Sequence, residues 1–310
     1  TMPGIGFLLQ ACNLLDLGAA TIKLKPGASR ALNDFSLTSL SGRVAQGMAI
    51  LYGNTLGVKF TAHLRSHVES LPPTSAGFLH IKDAMADFIF ADNYKTILIE
   101  SKGSFKLEQN DPSKIKSVLK GGLELQVDPW MSYLNPAPAN GYVVYSCLRE
   151  DSWAPSALFV VDPDGDAGQN SNVPFSVDQI RRENYGAWLS AMGLGETAHK
   201  LVQVSNDRRE PVSELFVIQE FNGRRYAFRD SPWVMPDLLG LQNLSIGIDL
   251  MVLREISSFI YQENPGDQEL RKIDLPDVPL DLNETISVFP DGTILAWKRP
   301  QAYDLELVRI

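Results

Sequence analysis

Residues Ala86 to Lys102 read ADFIFADNYKTILIESK, and the rest of the chain is best understood outward from them. Two apolar, strand-prone runs, Ala86–Ala91 and Thr96–Ser101, flank the turn-forming residues Asp92, Asn93, Tyr94 and Lys95. A hairpin centred between Asn93 and Tyr94 sets Asp87 opposite Glu100, Ile89 opposite Leu98 and Ala91 opposite Thr96. Side chains alternate along a strand, so Lys102 shares the face of Glu100, and Ser101 points its side chain to the other face. Opposed Cβ atoms lie roughly 4.5–5.5 Å apart. Two carboxylates that close repel when both are ionised, and a divalent cation between them removes the repulsion. Hard oxygen ligands suit Mg²⁺ or Mn²⁺, and the Ser101 backbone carbonyl is placed to join them. Lys102 can hold an anionic oxygen or orient a water beside the metal.

The neighbouring sequence supplies the rest of an α/β arrangement. The run Ser36–Gly42 reads as turn material, followed by a helix from Arg43 to Gly53-Asn54 with Val44, Met48, Ile50 and Leu51 on one face. A short helix is expected over Lys59–Leu71, closed by Pro72-Pro73. Beyond the hairpin, Pro112 precedes a helix over Ser113–Leu125 with Ser113 as its N-cap. Tyr142–Leu148 reads as a buried strand of the same sheet. Further on, Leu158–Val161 reads as a strand and Val177–Met192 as a helix. Glu214–Glu220 and Arg225–Phe228 form a hairpin about Asn222-Gly223, and Asp249–Tyr261 is helical. Ser287–Phe289 and Thr293–Lys298 bracket the turn Pro290-Asp291-Gly292. Residues 262–285 carry seven acidic against two basic side chains and read as loop. The expected division is an extension over 1–40, an α/β core over 41–150 with a mixed central sheet flanked by helices, and an α+β accessory region over 151–310.

Composition bounds the function. The chain has 310 residues, 44% of them hydrophobic and 21% charged, as in ordinary globular proteins. No apolar run approaches the ~18–20 residues that cross a bilayer, so no membrane association is expected. Ile5–Ala20 is apolar but lacks a basic residue in front of it, and the two cysteines, Cys12 and Cys147, have no metal-ligand spacing. The expected location is cytoplasmic. A net charge of −9 argues against a general DNA-coating surface. A local basic path survives this objection: Lys95 to Lys120 holds six lysines against three acidic residues. Among them Lys106, Lys116 and Lys120 are candidate phosphate contacts, and Lys116 and Lys120 share a helix face.

Asp87 followed thirteen residues later by Glu100-Ser101-Lys102, at the end of an apolar strand, resembles the PD-(D/E)XK nuclease superfamily. Ala86 stands where the nominal motif has proline. The resemblance covers residues 41–150 and implies a restriction-endonuclease-like core: a helix, a three-strand meander, a helix and a further strand. It implies a Mg²⁺- or Mn²⁺-dependent phosphodiesterase with Asp87, Glu100, Lys102 and Gln126 as catalytic residues. It also implies a third metal carboxylate on the preceding helix, for which Glu69 is best placed, beside the ligands Asp87, Glu100 and Ser101. Many members carry a glutamine on the following helix, and Gln126 fits. Gln126 with Trp130 resembles the Gln-then-Tyr signature of RecB-like nucleases, with Trp130 in the tyrosine's place and Tyr133 near it. The implied substrate is DNA in preference to RNA, and the implied settings are defence against foreign DNA or interbacterial toxicity. The acidic balance suggests help from a protein partner or a homo-oligomer in binding the substrate.

The competing reading is a scaffold or binding protein that kept the nuclease fold without its chemistry. Other patterns carry less. His63 and His67 are spaced i, i+4, but Leu64 follows the first histidine where a zinc protease needs glutamate. Asp162 to Asp166 hints at a calcium loop, but Pro163 interrupts it and Val173 stands at the distal ligand position. Gly193-Leu194-Gly195 does not follow a strand, so it does not make a dinucleotide site.

Overall fold

The computed structural model describes residues 14–16, 22–31, 34–70, 83–92, 94–105, 111–150, 155–162, 173–203, 213–229, 244–261, 269–270, 281–282, 286–296 and 304–310. Lys106, Cys12, Pro72-Pro73, Asn93 and most of the 163–172 and 262–285 segments lie outside the described residues. The chain divides into two compact units. The first comprises Thr1–Gly53, His63–Phe90 and Tyr94–Phe175; the second comprises Asn54–Ala62, Ala91–Asn93 and Ser176–Ile310.

After a short helical turn at Ala28–Ala31, the first unit carries the long helix α1 (Asp34–Thr55). Ser36–Gly42, expected as a turn, lies within it. Small residues Ser41, Ala45, Ala49 and Gly53 recur every fourth position and are buried, with Leu37 and Leu40 alongside. That ridge lets the helix backbone approach the sheet, and tertiary packing overrides the turn preference of serine and glycine. Two glycines mark the approach. A Cβ on Gly103 would lie 2.5 Å from the Ser41 carbonyl oxygen and 2.7 Å from the Ala45 Cβ, and one on Gly53 would lie 2.5 Å from the Phe90 ring. Leu37 and Leu40 pack with Leu14, Leu24, Ala28, Phe105 and Leu148 in one apolar cluster.

Strand β1 (Phe60–His63) and helix α2 (Leu64–Ser70) replace the single helix expected over Lys59–Leu71. Alternate burial of Phe60 and Ala62 is a strand period, and the helix starts only after it. β2 (Phe88–Ala91) and β3 (Thr96–Ser104) follow. Next come helix α3 (Pro112–Gly122), a π-helical turn (Leu123–Val127) and helix α4 (Asp128–Tyr133), which run on without a break. The cap of α3 is Asp111 rather than Ser113: its carboxylate accepts the Ser113 amide at 2.7 Å. Pro112 then sits in the first turn, where its missing N–H costs nothing. After the short β4 (Leu134–Asn135) come β5 (Asn140–Cys147), β6 (Ala157–Val161) and β7 (Val173–Pro174), the last pairing with β4.

The main sheet is mixed, in the order β1-β2-β3-β5-β6. β3 and β5 are parallel, with Glu100 beside Val143 and Lys102 beside Tyr145, while β6 returns antiparallel to β5. Both faces of β3 are buried over Thr96–Ser101, as expected of a central strand carrying a parallel neighbour. This unit takes in β6 and runs to Phe175, where the sequence suggested a boundary at 150.

The second unit is α+β. Its antiparallel sheet has the order β11-β12-β13-β10-β9-β8-β14. The strands are β8 (Ser213–Phe221), β9 (Arg224–Phe228), β10 (Ser245–Asp249), β11 (Asp281–Leu282), β12 (Ile286–Val288), β13 (Thr293–Ala296) and β14 (Asp304–Arg309). Its helices are α5 (Val177–Ala191), α6 (Gly195–Val202) and α7 (Leu250–Ile260). The β8–β9 turn carries Asn222 at φ 50° and Gly223 at φ 75°, the left-handed pair that a two-residue hairpin needs. Strands β10 and β14 and helix α6 were not anticipated. β10 is short with Gly247 at its centre, and β14 alternates charged and apolar residues at an edge. No helix among the described residues is long and apolar enough to cross a membrane.

Candidate functional site

The site grows from the middle of β3. Glu100 and Lys102 project from one face of the strand toward the helical segment that follows. A Cβ on Gly122 would lie 3.6 Å from the Glu100 Cγ, so the end of α3 rests almost on that side chain. Glu100 is 2% exposed. Its Oε1 is in contact with the Lys102 ammonium, and its Oε2 is buried with no hydrogen-bond partner. Burial pushes its carboxyl up to about 7; the nearby Asp87 carboxylate adds to the rise, and Lys102 and then the Gln126 amide oppose it.

The π-helical turn supplies the next residue. Gln126 sits within it, accepting the Lys102 Nζ at 2.6 Å on Oε1 and donating Nε2 to the Met85 carbonyl at 2.9 Å. A π turn widens the helix by one residue per turn and often marks a functional position. One turn on, the buried Trp130 donates its indole N–H to the Ala84 carbonyl at 2.9 Å.

Asp87 lies at a bend just before β2, outside the ladder, whereas the sequence placed it inside a strand beginning at Ala86. Its Oδ2 accepts the Ser101 amide at 3.0 Å and also the Ser101 hydroxyl. Its backbone carbonyl accepts the Leu64 amide at 3.0 Å. The expected face-to-face pairing of Asp87 with Glu100 is therefore modified. Asp87 approaches closely enough to raise the Glu100 carboxyl, but its direct partner is Ser101, which offers two donors where Glu100 offers only a second negative charge. The side chain of Ser101, expected to point away from the site, anchors it.

The structure thus brings together Asp87, Glu100, Ser101, Lys102 and Gln126. Glu69 stands apart from them. Because α2 starts at Leu64, its buried face is Leu64, His67 and Val68. Glu69 is turned to solvent, half exposed and 3.9 Å from Arg65. Among the described residues no three acidic, histidine or cysteine side chains converge to hold a metal. His63 and His67 occupy different elements: His63 ends β1 with its ring 4.7 Å from Phe88, and His67 is buried in α2. Lys116 and Lys120 are exposed on α3, and Lys120 lies 3.5 Å from Glu124.

The chain matches no family model, no curated protein and no solved structure.

Asp87 and Glu100 are the two carboxylates that a divalent cation would have to use here. One oxygen of Glu100 is buried and unpartnered, at the cost such an atom carries. Two features of this cluster had no independent sequence signal. A π turn has no compositional signature, and the bond from Trp130 to Ala84 joins residues whose contact only the tertiary fold creates.

Proposed function

We propose that the chain is a Mg²⁺- or Mn²⁺-dependent phosphodiesterase acting on nucleic acid, DNA in preference to RNA, built on a restriction-endonuclease-like core. The observation that carries this reading is the buried Glu100, with its unpartnered Oε2, beside Asp87 and under Lys102. The element order over residues 34–147 supports it: a helix, β1-β2-β3 side by side, a helical crossover and the parallel β5.

Asp87, Glu100 and the Ser101 carbonyl would hold the metal. When bound, the metal supplies Lewis-acid stabilisation of phosphoryl charge and lowers the pKa of its water. The chain's own residues do the rest. Ser101 holds one oxygen of Asp87 and leaves the other available. Lys102, 30% exposed, neutralises Glu100 and presents its ammonium at the mouth of the site, where it can take a phosphate oxygen. Gln126 limits where that ammonium can go. Lys116 and Lys120 offer charge on the outer face of α3 for the substrate backbone, and a partner or second copy would offset the acidic balance of the whole chain.

The test is direct. The purified chain should nick supercoiled plasmid with Mn²⁺ and stop on addition of EDTA. Asp87→Asn and Lys102→Ala should each lower the cleavage rate by at least a hundredfold while leaving the circular dichroism unchanged. Full activity in either folded variant defeats the assignment. One observation favours the second reading, a non-catalytic scaffold: Glu69 supplies no third carboxylate. No cleavage of double-stranded DNA, single-stranded DNA or RNA by the wild type would select it.

A further inference from the structure

We propose that Trp130 is a positioning residue for Asp87, acting through the Ala84 carbonyl on the irregular segment that leads into β2. The inference rests on the metal-site reading above.

The segment Asp83–Asp87 belongs to no helix or strand. Its backbone is therefore not fixed by a ladder, although it carries a carboxylate that must be placed to a fraction of an ångström if it is to hold a cation. Side chains from the π turn and α4 take over that role. Gln126 captures the Met85 carbonyl and Trp130 the Ala84 carbonyl, both at 2.9 Å. The two residues are four apart, so they project from one side of the helical run and grip adjacent peptide units. Leu64 and Ser101 hold Asp87 itself. The residues before Asp87 are thus anchored on one side and its carboxylate on the other.

Gln126 is divided between Lys102 and Met85. Trp130 has one polar atom, and that atom is a donor only. The side chain is fully buried. An apolar ring of the same breadth would satisfy the packing of such a pocket; the indole N–H adds a bond that packing does not require. That bond ends on a carbonyl three residues before the proposed ligand.

Trp130→Phe removes the N–H and keeps an aromatic ring in place. By isothermal titration the variant should bind Mn²⁺ about five- to tenfold more weakly, the cost of a lost hydrogen bond. Its plasmid cleavage should fall at limiting Mn²⁺ and recover at saturating Mn²⁺. Ile115→Val, which trims the cluster of Ile115, Tyr145 and Cys147 without touching the 84–85 carbonyls, should leave Mn²⁺ affinity at the wild-type value. A folded Trp130→Phe chain with wild-type Mn²⁺ affinity overturns the inference, as does an equal loss in Ile115→Val. The wild type gives a second readout that does not depend on the variant folding. With ¹⁵N-labelled indoles, Mg²⁺ should shift the Trp130 Nε1–H resonance with the midpoint of metal binding. An indole resonance unmoved at saturation also overturns it. A wild-type chain that binds no Mn²⁺ defeats the metal-site reading itself, and this inference with it.

Discussion

At the scale of single residues, Glu100 is the most informative side chain in the protein. It is buried to 2% exposure, and burial with a neighbouring carboxylate lifts its carboxyl to about 7. The folded state therefore holds its proton more tightly than the unfolded chain does. In metal-free protein this favours folding fully below the ordinary carboxylate range, and the benefit is lost as pH rises to about 7. The unfolding free energy from urea titrations in EDTA should fall between pH 5 and pH 8 by a margin on the order of 3 kcal/mol for this one group. Glu100→Gln cannot ionise, so its stability should be flatter over that window and higher than wild type at pH 8. Parallel profiles for the two proteins would assign the effect elsewhere. The nearness of Asp87, Glu100 and Lys102 was legible from the sequence because strand alternation and short spacing are local; Gln126 was reached only through the family resemblance. The anchoring of Asp87 by Ser101 was not. It depends on Asp87 falling one residue before the ladder, a shift that reverses which neighbour its side chain meets.

At the scale of elements, those held by local signals can be read from the residues, and those held by packing cannot. The β8–β9 hairpin is announced by Asn222-Gly223, and β3 by its apolar run. Helix α1 is different: its buried ridge of serine, alanine and glycine looks like a turn until the sheet is set beside it. Glu69 was misplaced for the same reason. Phe60 and Ala62 are drawn into a strand, so α2 starts late and its phase turns Glu69 outward. The α1–β3 contact makes a sharp prediction. Gly103→Ala would set a methyl group 2.5 Å from the Ser41 carbonyl oxygen. It should destabilise the chain by about 1–3 kcal/mol, and more if α1 cannot shift. Differential scanning calorimetry would register this as a lower Tm. An unchanged Tm would mean that α1 rides more loosely on β3 than its small residues indicate.

At the scale of the whole molecule, the two units concentrate their buried charge differently. In the first, Glu100 keeps an unpartnered oxygen; in the second, both oxygens of the buried Asp291 are engaged. Asp291 receives Asn184 at 2.8 Å and Trp188 at 3.0 Å on Oδ2, and the Thr293 amide and hydroxyl on Oδ1. Burial still pushes its carboxyl upward, against the pull of those donors. Such a hub ties α5 to the β12–β13 turn and has no atom left over for a ligand. Asp291→Ala strands those donors and should cost about 3–5 kcal/mol. A shift in the urea midpoint, read by Trp188 fluorescence, checks it; a loss under 1 kcal/mol would mean that water replaces the carboxylate. The contrast explains why the metal-site proposal belongs to the first unit.

The parallel pairing of β3 with β5 also governs when the site comes into being. Two parallel neighbours cannot be joined by a tight turn, so α3, the π turn and α4 must form and cross over before β5 can dock beside Glu100 and Lys102. That crossover carries Gln126 and Trp130. A ribosome-bound chain that has released only the β2–β3 hairpin therefore holds both carboxylates and the lysine, yet lacks the residues that fix them. The cluster around Glu100 is therefore complete only once Cys147 has cleared the exit tunnel, so its parts are made long before they are held in place.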